Sequence, residues 1–239
     1  MRVCVAQYNP TVGDLAGNAA RLLAACRNAG DLQADLLVAP ELALCGYPPR
    51  DLLDRPSFVR DCLAMLHHVV HSAPIPLLFG AVVGAGVDVF DAGSRIANGA
   101  VLAQGGEVRA CHRKNLLPTY DVFDEARYFT PGTKATTAMV GEHRIGISVC
   151  EDIWNDKAYW SWARYDRDPV AESVAAGAEL LINLSASPFH RDKPQQRLQM
   201  LAATAKRHAR PILYVNQVGG NDSLIFDGRS LAVQGDGRT

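Results

Sequence analysis

The strongest constraint on this chain is an alternation between short apolar runs and stretches of helical period. "RVCVAQ", "ADLLVAPE" and "PLLFGAVV" read as strands, the last two apolar on both faces as in a sheet covered from both sides. Between the first two, "GNAARLLAACRNAG" sets Ala19, Leu22, Leu23 and Cys26 on one helical face, closed by Gly30. Ser57 is expected to cap a second helix whose inner face is Phe58, Cys62, Met65, Leu66 and Val69. Strands that alternate with amphipathic helices must stack as layers, so the fold class is α/β.

The middle of the chain departs from a purely parallel pattern. "SRIANGAVLAQGGEVRACHRK" alternates on either side of Gln104-Gly105-Gly106, and "TTAMVGEHRIGISVC" turns at Gly141-Glu142, so both read as hairpins. A helical stretch is expected over 156–176, then a strand "LLINLS", a helix over 194–209 and a strand "ILYVNQ". Pro194 suits a first helical position, and Leu198, Leu201, Ala202 and Ala205 share a face. "SLIFDGRSLAVQGDG" reads as a last hairpin cut short, and "VQGDGRT" stops where another strand is expected, so a longer protein is expected around this segment. Neither a repeat nor a low-complexity linker divides it.

Composition excludes several functions. Lys plus Arg (24) balances Asp plus Glu (25), leaving no basic field for nucleic acid or an anionic membrane. Residues 72–87 form the longest uncharged apolar stretch, broken by Pro74, Pro76 and three glycines and too short to span a bilayer. No signal peptide is visible, so a cytoplasmic location is expected. The six cysteines are scattered without a close pair, which reads as reduced thiols. CxxC and Cys/His zinc spacings are missing, and His67-His68 point two ways from a helix, so no metal site is expected.

Three strand ends carry reactive side chains: Glu41 after "ADLLVAP", Lys114 after "EVRACHR" and Cys150 after "RIGISV". Strand ends in α/β folds are where a rigid sheet positions catalytic groups. Read singly, each has a plainer meaning. A Glu after a strand is usually solvated, Lys114 joins a basic cluster with His112 and Arg113, and a lone Cys is more often inert than nucleophilic. Two acids directly after Cys150 would also disfavour its thiolate.

Taken together, "PELALCGYPPRDLL", "HRKNLLPTYDVFDEARYFTPG", "GISVCEDIWND" and "NLSASPFHRDK" resemble the nitrilase superfamily of carbon–nitrogen hydrolases. Within it they look like one branch, the glutamine amidotransferase domain of glutamine-dependent NAD synthetases, over essentially the whole chain. The resemblance implies a four-layer α-β-β-α sandwich forming one glutaminase domain over 1–239. It implies Glu41 as general base, Lys114 as cationic stabiliser, Cys150 as nucleophile and Glu125 in support. Tyr47, Tyr120, Phe123, Glu151, Ser185 and Arg191 match positions that line a glutamine pocket. Arg191 would meet the substrate carboxylate, and Glu151 or its backbone the ammonium. Burial should raise Glu41 and Lys114 should lower Cys150, narrowing the gap for proton transfer.

The resemblance further implies L-glutamine as substrate, a thioester intermediate and no cofactor in this domain. ATP, Mg and deamido-NAD would bind a C-terminal synthetase domain absent from this chain, and a homo-oligomer is the default. "VGGNDS" superficially looks like a phosphate-binding SGGxDS loop but is expected to be a turn. The segment carrying Trp160 and Trp162 is expected to be a subunit or interdomain contact, with a locally packed helix as the alternative. A free-standing amidase acting on another small amide, or a degenerate assembly module, remain the competing functions.

Overall fold

Eight-residue β3 (Leu77–Gly84) is buried along its whole length and anchors the first sheet. The computed structural model describes residues 1–239 except positions 94, 162 and 163. In chain order, β1 (Val3–Val5), β2 (Leu36–Val38), β3, β4 (Ile96–Gln104) and β5 (Glu107–Arg113) form that sheet. The first three are parallel and the last two antiparallel. Gly105 and Gly106 close the β4–β5 hairpin with φ of +63° and +77°, which ordinary residues resist. The later strands are β6 (Thr136–Val140), β7 (His143–Val149), β8 (Leu180–Ser185), β9 (Ile212–Asn216), β10 (Val218–Asn221), β11 (Leu224–Asp227) and β12 (Leu231–Val233). The second sheet runs β12-β9-β8-β7-β6 with three central parallel strands, and β10–β11 is a separate hairpin.

The two sheets pack face to face. Leu36, Val38, Leu78, Ala100 and Leu102 of the first meet Ile145, Ile147, Val149, Ile182, Leu184 and Val215 of the second. Helices α1 (Leu15–Asp31) and α2 (Pro56–Ser72) cover the outer face of the first sheet through Leu22, Cys26, Leu66 and Val69. Helices α3 (Pro169–Ala175) and α4 (Lys193–His208) cover the second through Val170, Met200, Leu201 and Ala205. Strands apolar on both faces dictate this: each sheet buries both faces only if another sheet lies on one side and helices on the other. The fold is the four-layer α-β-β-α sandwich.

Several local expectations are corrected. Among the described residues of 156–176, helix is confined to α3, because side chains there bond the backbone instead. Asn155 Nδ2 donates to the carbonyls of Tyr165 and Arg167, and Asp156 accepts the Ala158 N–H and the Thr204 hydroxyl. Asp168 then caps α3 at Ala171 N–H, with Pro169 in the first turn. Helix α2 starts at Pro56 with Arg55 as its cap residue, not at Ser57, and α1 continues past Gly30 to Asp31.

The expected last hairpin does not form. Leu224–Asp227 pairs back with Val218–Asn221, while Leu231–Val233 crosses to the edge of β9. Between them Gly228 and Arg229 adopt positive φ, and Ser230 N–H is taken by Gln7 Oε1, redirecting the chain. "VGGN" is therefore a strand, with the turn confined to the residues after it. Trp160 packs inside the chain against Trp154 and Tyr159, at centroid distances of 6.2 and 4.8 Å, and Trp162 lies outside the described residues. No helix is long and apolar enough to cross a membrane among the described residues.

Candidate active site

Glu41, Lys114 and Cys150 leave their strands at the same rim of the sandwich. Glu41 and Lys114 come from the first sheet, after β2 and β5, and Cys150 from the second, immediately after β7. Lys114 Nζ donates to Glu41 Oε1 at 2.8 Å and to Glu125 Oε1 at 2.7 Å, all three side chains being buried. Asn98, on β4, donates to the same Glu41 oxygen at 2.7 Å. Glu41 Oε2 accepts the Ala186 N–H at 2.8 Å, so the carboxylate bridges from its own sheet to the end of β8. Tyr47 Oη donates to Glu125 Oε1 at 2.9 Å. Gly80 permits this packing: a Cβ there would lie 2.2 Å from Leu42 N and 2.6 Å from the Glu41 backbone.

One buried ammonium thus faces two carboxyls, an arrangement one positive charge short of balance. Burial raises the Glu125 pKa; the Lys114 charge opposes this, and the Glu41 charge adds to it. Burial pulls the Lys114 pKa down, but the charges of Glu125 and Glu41 outweigh it and hold the ammonium firmly protonated. The Tyr47 phenol is pushed up by burial and by the same two carboxylates.

Cys150 begins a 3-10 turn over Cys150–Ile153 and has φ of +42°, a left-handed conformation that costs a non-glycine residue energy and recurs at functional sites. Its thiol is driven well above the usual thiol range, first by burial and then by the Glu41 charge. Lys114 pulls in the other direction without winning. Lys114 thus lowers the Cys150 pKa as expected, but burial disfavours the anion more than one shared ammonium can offset, so the net direction is upward.

Glu151 projects beside this turn into a cavity of about 220 Å³ lined also by Tyr120, Trp154, Tyr165 and Lys193. Tyr120 Oη lies 2.8 Å from both Glu151 oxygens, and Tyr165 Oη donates to Oε1 at 3.3 Å. Phe123 packs edge-on against Tyr120 with centroids 5.6 Å apart, and lines a neighbouring cavity with Tyr47 and Glu125. Lys193 Nζ sits 3.9 Å above the Trp154 ring, its pKa lowered by burial. Ser185 is fully buried at the end of β8 and donates to Asn183 Oδ1 at 2.7 Å. Arg191 is exposed on the turn before α4. A wider groove of about 930 Å³, between α2 and the 126–130 segment, holds none of Glu41, Lys114 or Cys150.

Sequence reasoning missed Asn98, Asp152 and Tyr165. Asn98 had a usable signal, an amide inside the otherwise apolar "IANGAVLA" of a central strand. Asp152 carries in the sequence only the signal of one of two acids after Cys150, and it is buried. Among the described residues, no group of three or more His, Cys, Asp or Glu side chains is arranged to hold a metal ion.

The fold is one that carbon–nitrogen hydrolases share, and comparison with known proteins places the chain among them. The chain matches the carbon-nitrogen hydrolase family over residues 2–239 and belongs to that family. It is 43% identical over 238 residues to a glutamine-dependent NAD(+) synthetase of Synechocystis sp., covering 99% of this chain and 43% of that protein. A synthetase of the same name from Thermotoga maritima is 39% identical over 241 residues, covering 99% and 39%. The chain therefore spans about two fifths of the length of these relatives. The structure of a glutamine-dependent NAD+ synthetase from Acinetobacter baumannii superposes with a TM-score of 0.84 at 33% identity, covering 99% of this chain and 42% of that one. An amidase from Nesterenkonia AN1, of the nitrilase superfamily, shares the fold with a TM-score of 0.81 at 24% identity, over 100% of this chain and 84% of that one.

Proposed function

We propose that this chain hydrolyses the side-chain amide of L-glutamine through a thioester on Cys150, releasing glutamate and ammonia. The observation that carries the reading is the buried Glu41–Lys114–Glu125 cluster, whose charges all act on a thiol held in a left-handed turn. Relatives at 33–43% identity named glutamine-dependent NAD(+) synthetases favour glutamine over another amide.

Glu41 accepts the Cys150 proton as Sγ attacks the carboxamide carbon. The oxyanion is held by Lys114 Nζ and by a backbone N–H just after Cys150. Glu41 returns the proton to the leaving ammonia, then activates the water that cleaves the γ-glutamyl thioester. Because the thiol rests protonated, its transfer to Glu41 is coupled to attack rather than completed beforehand. Glu125 keeps Lys114 aimed at the oxyanion, and Tyr47 fixes Glu125. Glu151, oriented by Tyr120 and Tyr165, takes the substrate ammonium. Arg191, on the turn before α4, and Lys193, at its start, take its carboxylate, while Phe123 and Ser185 shape the pocket.

In this reading 1–239 is one glutaminase domain of a longer, cytoplasmic, homo-oligomeric enzyme. The ammonia passes to a synthetase domain outside this chain, where ATP, Mg and deamido-NAD would bind. The test is ammonia release from glutamine, asparagine and simple ω-amides by wild type and Cys150→Ala. Glutamine hydrolysis lost in a folded Cys150→Ala chain is the expected result. Preference for a different amide would favour a free-standing amidase instead, and turnover by Cys150→Ala would reject both.

A further inference from the structure

The proposed nucleophile and its lysine belong to different sheets, so their separation depends on how two layers sit against each other. One side chain that the mechanism does not use spans that junction. Asp152, two residues after Cys150, is buried, with both carboxylate oxygens occupied. Oδ1 accepts the N–H groups of Asn115 and Leu116, each at 2.9 Å. Oδ2 accepts the Val149 N–H at 2.9 Å and meets His112 Nε2 at 2.8 Å. Val149 immediately precedes Cys150, and Asn115 immediately follows Lys114. His112 lies two residues before that lysine on β5, itself fully buried, with Nδ1 3.3 Å from Thr136 Oγ1 at the start of β6.

We propose that Asp152, held by His112, is the positioning residue that fixes Cys150 relative to Lys114 across the two sheets. The carboxylate accepts only, so the proton at this contact sits on His112 Nε2. Each of its four partners is within two residues of Lys114 or Cys150. Such a group belongs with the reacting pair rather than with general stability, since a buried carboxylate is costly unless every lone pair it offers is used. An aliphatic residue would fill the same space but would leave the backbone on both sides of the junction untied. Glu41 makes the corresponding tie elsewhere, from the first sheet to Ala186 of the second. Between them these two carboxylates set all three reactive groups on one frame.

This inference rests on the glutaminase reading for its kinetic arm only; a second arm reads Cys150 directly. Asp152→Asn keeps the volume but turns one acceptor into a donor. The variant should lose kcat for glutamine by at least a hundredfold, as expected for misplaced reacting groups, with KM within threefold of wild type. Alkylation of Cys150 by iodoacetamide, located by peptide mass spectrometry, should slow at least fivefold at fixed pH while circular dichroism reports a folded chain. A kcat within threefold of wild type, or a loss that only tracks the folded fraction, overturns the proposal. If Asp152→Asn does not fold, two variants at His112 decide. His112→Gln supplies an amide N–H near Nε2 and should keep kcat within threefold, whereas His112→Leu should lose at least tenfold without a change in KM. Equal behaviour of the two overturns the proposal. If wild type fails to hydrolyse glutamine, the glutaminase reading falls, and alkylation rates across the same variants still judge the positioning role.

Discussion

Replacing Glu41 by Gln separates the two things this carboxylate does to Cys150. As a charge, Glu41 raises the thiol pKa; as a base, it is the only route proposed for the thiol proton. The variant should therefore make Cys150 more acidic and the enzyme inactive. The structural cost follows from the contacts. Oε1 accepts from Lys114 and Asn98, and Oε2 from the Ala186 N–H. Whichever way the amide is turned, its NH₂ faces a donor, leaving one buried donor unsatisfied at about 1–3 kcal/mol. Lys114 keeps its 2.7 Å pair with Glu125, so the full cost of an orphaned buried charge, ~3–5 kcal/mol, is not reached. For a chain of this size the Tm should fall by roughly 2–4 °C per kcal/mol. Loss of the base should lower kcat by about 10²–10⁴-fold. The assay is a pH profile of iodoacetamide alkylation at Cys150 beside ammonia release from glutamine. The Glu41→Gln profile should shift to lower pH while turnover collapses. A profile that stays or moves up, or turnover within tenfold of wild type, would refute the reasoning.

Lys114→Met leaves Glu41 and Glu125 buried without their cation; stability should drop by about 3–5 kcal/mol in urea denaturation, and glutamine turnover should vanish. Gly80→Ala drives a Cβ into the Glu41–Leu42 backbone, costing about 1–3 kcal/mol and lowering kcat through a displaced base, checked by thermal melts and kinetics. Glu125 carries a folded-state pKa raised by burial, so its contribution is fully present below the ordinary carboxylate range and is lost as pH rises through the raised value. Glu125→Gln should accordingly lose less stability than wild type as pH rises from about 4 to 7, measured by denaturation at each pH. Tyr120→Phe removes one of two hydroxyls from Glu151 and should raise KM for glutamine more than it lowers kcat.

The layers, and the positions of Glu41, Lys114 and Cys150 at strand ends, were legible because they depend on local period and chain order. The unbroken apolar run alone places β3 in a covered sheet. Lys114 and Glu41 could be paired only through the family resemblance, since spacing says nothing about which strand ends meet. What was not legible is tertiary in origin. Asp152 and Glu151 are adjacent acids with the same local signal, yet one is locked between sheets and the other faces a cavity. The 156–176 stretch has helical composition, but Asn155 and Asp156 satisfy neighbouring backbone groups, and helix among its described residues is limited to α3. Leu231–Val233 pairs with β9 rather than with its sequence neighbour because Gly228 and Arg229 turn the chain between layers. The sign of the Cys150 shift also needed burial, a quantity no motif carries.

The central claim is that Cys150 forms a covalent γ-glutamyl thioester. It is tested most directly by quenching the protein with acid during glutamine turnover and mapping its peptides by mass spectrometry. The account predicts a γ-glutamyl adduct on the peptide containing Cys150 and on no peptide containing Cys4, Cys26, Cys45, Cys62 or Cys111. Sustained ammonia release with Cys150 unmodified, and undiminished in Cys150→Ala, would contradict it.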